Sequence, residues 1–126
     1  MSGRTSGDSQ KIFGQNIASK RFSLADQIKF SRFSGDKNPI HIDPVAARRT
    51  ISGQCIVHGM HSLLWALDSL VREAGVTTSE LEVNFLNPIF LGEKVECMWD
   101  GMSQSVVLLS ESVKVATISI KPGAIT

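Results

Sequence analysis

The segment Gly59 to Ala74, GMHSLLWALDSLVREA, sets Met60, Leu63, Leu64, Leu67, Leu70, Val71 and Ala74 at helical spacing, and Trp65 and Ala66 widen the same face. A stripe this broad needs a partner: a helix on the order of 24 Å long must lie against a large apolar surface. Gly75 is its natural stop. The chain supplies the surface immediately afterwards. From Thr78 onward ELEVNFL, EKVECMWD, QSVVLLSE and KVATISIK read as antiparallel strands, with a turn at Asp100-Gly101. Asn87-Pro88 separates the first two as a bulge or bend. One long helix followed by a run of strands predicts an α+β domain in which a curved antiparallel sheet wraps a central helix.

The first half of the chain is more polar. IFGQNIASKRF reads as a further strand ending near Phe22. Ser23 is suited to cap a helix over LADQIKFSRFSG, with Asp26 at the positive end of its dipole and Gly35 as its stop. Leu24, Ile28 and Phe33 give that helix a partial apolar stripe. Asn38 precedes a proline and must be extended, so the polar run SGDKNPIHID lies on an ordered loop. Asp43 and Pro44 form a cap and first-position pair for a short helix through VAARR. Gly35 to Gly53 is therefore an excursion between two helices.

Length bounds the organisation. The 126 residues, 42% hydrophobic and 20% charged, suit a single globular domain over 11–126 behind a Ser/Gly-rich flexible leader over 1–10. A formal charge of +1 provides no field to recruit nucleic acid or an anionic membrane. No apolar run approaches the roughly 20 residues of a spanning helix. Cys55 and Cys97 lie far apart in segments that read as buried, which argues against a disulfide framework and for a reducing, cytoplasmic setting.

The polar residues admit two readings each. Asp36, Asn38 and Pro39 are ordinary turn chemistry, or with His41 and Asp43 they crowd two carboxylates, an amide and an imidazole around a proline in a loop suited to hold a reactive water. Cys55, His58 and His61 form a C-x-x-H-x-x-H run, but it lacks a fourth ligand and would require the helix to begin within it, so no metal is assigned. His58 reads as a packed, hydrogen-bonded histidine. Asp68 and Glu73 fall off the apolar face of the central helix and read as solvated. Arg48 and Arg49 either complement a helix dipole or meet phosphates or an acidic carrier protein.

Three segments, in order and in register, resemble the MaoC-like hydratase/dehydratase family of the hotdog fold, which includes R-specific enoyl-CoA hydratases. FSGDKNPIHID is similar to its G-D-x-N-P-x-H-x-D motif, GQCIVHGM to its entry into the hotdog helix, and VNFLNPIFLGEKV to its strand pair with a proline bulge and a G-[DE]-x-V turn. The resemblance runs from about Phe22 to Lys121. His61 and Trp65 are bulkier than the small or aliphatic residues expected along the early helix, which bears on substrate size.

The resemblance implies a hydro-lyase that adds water reversibly to a trans-2-enoyl thioester. Asp36 and His41 would activate the water, the Gly59 amide would hold the thioester oxyanion, and Asn38 and Pro39 would position the loop. His61, Leu64 and Trp65 are candidates for an acyl pocket, because their side chains project to within about two turns of the Gly59 amide. No metal or redox cofactor is implied; coenzyme A or carrier-protein phosphopantetheine is the handle of the substrate. A homodimer or higher homo-oligomer is expected, since one sheet around so apolar a helix leaves an open edge. The alternatives are a hotdog thioesterase and a non-catalytic acyl-thioester-binding or partner subunit.

Overall fold

The computed structural model describes residues 14–49 and 53–122. The flexible leader expected over 1–10 lies outside these residues. Strand β1 (Gln15–Arg21) leads into helix α1 (Leu24–Ser34), then two single-turn helices, α2 (Pro39–Ile42) and α3 (Pro44–Ala47). The central helix α4 (Gly59–Ser69) continues as a π-helical turn over Leu70–Ala74. Strands β2 (Thr78–Phe85), β3 (Lys94–Asp100), β4 (Ser105–Ser110) and β5 (Val113–Pro122) complete the chain. All neighbouring strands are antiparallel, in the order β1-β3-β4-β5-β2, so β1 and β2 are the two edges.

The sheet's inner face follows the period of two that a half-buried strand requires. Val95 and Cys97, Val106 and Leu108, and Ala116, Ile118 and Ile120 alternate inward and pack on Leu63, Ala66 and Leu70 of the helix. A register shift between Leu108 and Leu109 bends the β4–β5 pair around that helix. Both cysteines are free and buried, and burial pushes the Cys97 thiol up to about 12. No helix among the described residues is long and apolar enough to cross a membrane.

The central helix is rotated from the face its apolar spacing predicts. Its buried residues are Ser62, Leu63, Ala66, Ser69 and Leu70, whereas Met60, Leu64 and Val71 are exposed. Small residues let the helix axis approach the sheet. The two serines tolerate burial because their hydroxyls donate back to the carbonyls of Gly59 and Trp65, at 2.7 and 2.8 Å. The final π turn, stopped by Gly75 in a left-handed conformation, had no sequence signal.

Helix α1 differs in the same way. Its ends are as expected: a reciprocal Ser23/Asp26 capping box at the start and Gly35 at φ 83° at the finish. Its buried face is Gln27, Phe30 and Ser31, while Phe33 is 80% exposed. Phe30 stacks on the His61 ring with centroids 4.5 Å apart, so α1 packs against the start of the central helix with a partly polar face. Asn87-Pro88 is a bend in the β2–β3 connection, where the amides of Leu86 and Asn87 both donate to the Val115 carbonyl.

Candidate active site

Three local devices bring the polar loop to the head of the central helix. Gly35, left-handed, turns the chain out of α1 and delivers Asp36. The Asp36 carboxylate accepts from the Asn38 amide at 3.2 Å, and the Asn38 side chain accepts from the Ile40 amide at 3.1 Å, so each residue fixes the backbone two positions on. Pro39 then opens the single turn α2, which carries His41, so the expected loop contains a helical turn. Asp43 caps α3 through the amides of Val45 and Ala46, and α3 ends at Ala47, two residues short of the expected VAARR helix.

A short extended piece anchors the other wall. Val57 donates to the Ile89 carbonyl at 2.8 Å and Leu91 to that of Cys55 at 3.4 Å, around a bridge between Ile56 and Phe90. This ties the chain entering the helix to the β2–β3 connection. His58 and Gly59 follow directly, and His58 makes no side-chain cap to the helix. The first amides of a helix have no intrahelical acceptors, so this end presents donors and the positive pole of the dipole.

The geometry fixes where the protons sit. His41 Nδ1 lies 2.9 Å from the Ile56 carbonyl, which can only accept, so Nδ1 carries a hydrogen and in the neutral ring Nε2 presents a lone pair. Asp36 Oδ2 is 3.9 Å from that Nε2. Two proton acceptors thus face each other across a gap that one water can bridge. His58, 1% exposed, stacks on His41 with centroids 4.0 Å apart and donates from Nε2 to the Asp36 carbonyl at 3.1 Å. Burial holds His58 below the ordinary imidazole range, against the pull of the Asp36 carbonyl; the neighbouring His41 lowers it further.

Asp36, His41 and His58 place a ligating atom each within 4.8 Å of one another. His58 Nε2 is committed as a donor to the Asp36 carbonyl, which leaves two lone-pair groups rather than three. Cys55 and His61 are not in this group. His58 is the packed, hydrogen-bonded histidine that the sequence predicts, but no local signal marks its position under the Asp36/His41 pair.

A cavity of about 350 Å³ opens beside the pair. His41 and Gly59 lie on its wall, with Ser62, Phe85, Leu86 and Ile89 among the residues that complete it. Residue 59 approaches the Phe85 ring so closely that a Cβ there would stand 3.2 Å from it, and the ring would have to give way. His61, Leu64 and Trp65, expected as a possible acyl pocket, are not among the residues lining this cavity. The rotation of the helix turns them away: His61 and Trp65 pack edge-on against Phe22, at 4.9 and 5.8 Å between centroids, and Leu64 is 42% exposed. Asp68 is exposed and pairs with Arg72 at 2.8 Å. Arg48 lines a separate surface hollow with Pro44 and Gln54.

The family model described as the MaoC like domain matches residues 9–120, and the chain belongs to that family. Its five-stranded antiparallel sheet around a central helix is accordingly the hotdog fold. The chain is 31% identical over 83 residues to a 3-hydroxybutyryl-CoA dehydratase of Methylorubrum extorquens, covering 64% of this chain and 53% of that protein. It is 32% identical over 109 residues to the (R)-specific enoyl-CoA hydratase of Aeromonas caviae, covering 82% and 75%. The solved structure of an (R)-hydratase from A. caviae involved in PHA biosynthesis superposes with a TM-score of 0.60 at 26% identity, over 82% of this chain and 92% of that one. The chain thus spans about half the length of the first relative and three quarters of the second.

Proposed function

We propose that the protein adds water reversibly across the double bond of a trans-2-enoyl thioester to give the (3R)-hydroxyacyl thioester. The observation that carries this reading is the pair of proton acceptors, Asp36 Oδ2 and His41 Nε2, 3.9 Å apart on the same side as the helix end that begins at Gly59. A water between them donates one hydrogen to each, which turns its oxygen lone pairs toward the cavity. Attack forms the bond from water oxygen to the β-carbon. One proton leaves to the pair, and the pair returns a proton to the α-carbon, so one water is added and both residues end as they began. Either residue can serve as the formal base, because the two act as one coupled unit.

Negative charge gathers on the thioester oxygen as the new bond forms. The Gly59 amide, at the uncapped start of α4, supplies a preorganised donor there. Removing one such donor typically costs about 3 kcal/mol of transition-state stabilisation. The chemistry calls on no metal or redox group; coenzyme A or phosphopantetheine enters as part of the substrate. The (R)-specific hydratase and the dehydratase among the relatives support both the substrate class and the two directions.

Assembly belongs to the same reading. Strand β2 is an eight-residue edge whose outer side has no partner strand among the described residues, and Phe85 and Leu86 at its end are about half exposed beside the cavity. A second copy joined along that edge covers both liabilities. Two measurements test the proposal. Crotonyl-CoA is followed by enoyl-thioester absorbance and free thiol together: loss of absorbance without thiol supports hydration, whereas thiol release means hydrolysis and no change means a binding module. Light scattering at micromolar concentration should give a dimer or higher oligomer; a fully active monomer contradicts the assembly.

A further inference from the structure

Gln27 is a fully buried polar side chain on α1, nine or more residues in sequence from each member of the proposed site, and every polar atom of its side chain is engaged. Its Nε2 lies 3.2 Å from the Ile56 carbonyl and 2.9 Å from His58 Nδ1; its Oε1 lies 3.1 Å from His61 Nδ1. Donor logic leaves one solution. The Ile56 carbonyl only accepts, so the amide nitrogen must face it. The same nitrogen then donates to His58 Nδ1, which must accept. His58 therefore carries its proton on Nε2, where the Asp36 carbonyl is waiting at 3.1 Å. The remaining Oε1 accepts from His61 Nδ1–H, and stacking on Phe30 and the edge of Phe22 holds the His61 ring in place.

Both catalytic candidates hang from this one amide. His41 is oriented by its bond to the Ile56 carbonyl, which Gln27 shares. Asp36 is held through its own carbonyl by His58, whose proton Gln27 places. We propose that Gln27 is a positioning residue: through its two amide hydrogens it fixes the His58 tautomer and the Ile56 carbonyl, and so the facing lone pairs of Asp36 and His41. The inference rests on the hydration reading for its catalytic meaning, but the proton positions are measurable without any reaction.

The test combines histidine ring spectra with kinetics on the parent, Gln27→Glu and Gln27→Met. Long-range proton–nitrogen correlation should show the parent with hydrogens on Nδ1 of His41, Nε2 of His58 and Nδ1 of His61. A carboxylate at 27 cannot donate, so in Gln27→Glu a proton should appear on Nδ1 of His58 and the His41 signals should shift. Both variants should lower kcat for crotonyl-CoA by about tenfold or more with KM changed less than about threefold, the signature of a lost arrangement rather than lost binding. A hydrogen on Nδ1 of His58 in the parent overturns the inference outright. Folded variants with parental kcat and ring signals also overturn it, and leave the hydration reading standing. If the parent hydrates nothing, that reading falls, and unmoved His41 and His58 signals in Gln27→Glu then sink the inference separately. Should neither variant fold, the tautomer of His58 in the parent decides.

Discussion

The ring of Phe85 lies against Gly59, so closely that a methyl group on residue 59 would stand 3.2 Å from two of its carbons. A strand end and a helix start are thus in contact at the point where the proposed oxyanion donor sits. Gly59 is helical, so alanine there strains no backbone, and the half-exposed Phe85 can swing aside. Gly59→Ala should therefore keep the parental melting temperature within a few degrees while hydration falls by about 10²-fold, the scale of an ångström-sized misplacement. Phe85→Leu added to it should recover part of the loss. Steady-state kinetics on the two variants check this; because alanine keeps the backbone N–H, unchanged activity in Gly59→Ala would show that the Phe85 contact does not set the position of that donor.

Asp36→Asn and His41→Gln should each lower hydration by about 10²-fold or more, with circular dichroism unchanged. Asparagine keeps the oxygen that accepts from the Asn38 amide, so the loop survives and only the proton acceptor is lost. Near-parental rates in either variant would exclude that residue.

Acyl-chain preference should follow the cavity and not the aromatic side of the helix. Trp65 is packed against the core and meets Phe22 edge-on, so Trp65→Ala should cost about 3 kcal/mol of stability and leave the order of preference among enoyl-CoA chain lengths as it was. Phe85→Ala, which widens the cavity, should raise kcat/KM for longer chains relative to crotonyl-CoA by about tenfold. A shift in preference caused by Trp65→Ala instead would return that residue to the acyl pocket.

Stability should fall on the acid side of neutrality. His58 and His61 are both held below their ordinary value of 6.5, chiefly by burial. A base whose folded pKa is depressed binds more protons when unfolded, so stability rises with pH between the two values. It is fully present above about pH 6.5, is lost as pH falls below that, and the loss levels off beneath the folded pKa. Denaturant midpoints from pH 8 to 5 measure it. His61→Phe should flatten the slope; a slope equal to the parent's would show that His61 contributes none of it.

The elements were legible where their signals are local. Ser23 with Asp26, Gly35, and Asp43 with Pro44 mark helix ends through contacts within a few residues, and each stands where its chemistry puts it. The same holds for the loop that brings Asp36 and His41 together. Which face of a helix is buried depends on what packs against it. For that reason Ser62 and Ser69 displaced Met60 and Val71 from the interior, and Gln27 displaced Ile28. His58 and Gln27 touch across 31 residues of sequence, a separation at which no spacing rule operates. The β4–β5 hairpin turns through Glu111 and Ser112, both at positive φ, without the glycine or asparagine that announces such a turn.

The strand order also sets a timetable. Strands β3, β4 and β5 are joined in succession by short turns and pair with their sequence neighbours, but β1 waits for β3, with Gln15 finally opposite Trp99. During synthesis from the N-terminus, β1 has no partner until most of the polypeptide has emerged. Helix α1 and the loop bearing Asp36 must likewise wait for the head of the central helix that they cover. A ribosome-bound chain truncated before Trp99 should therefore leave β1 open to protease, and release of the full length should close it.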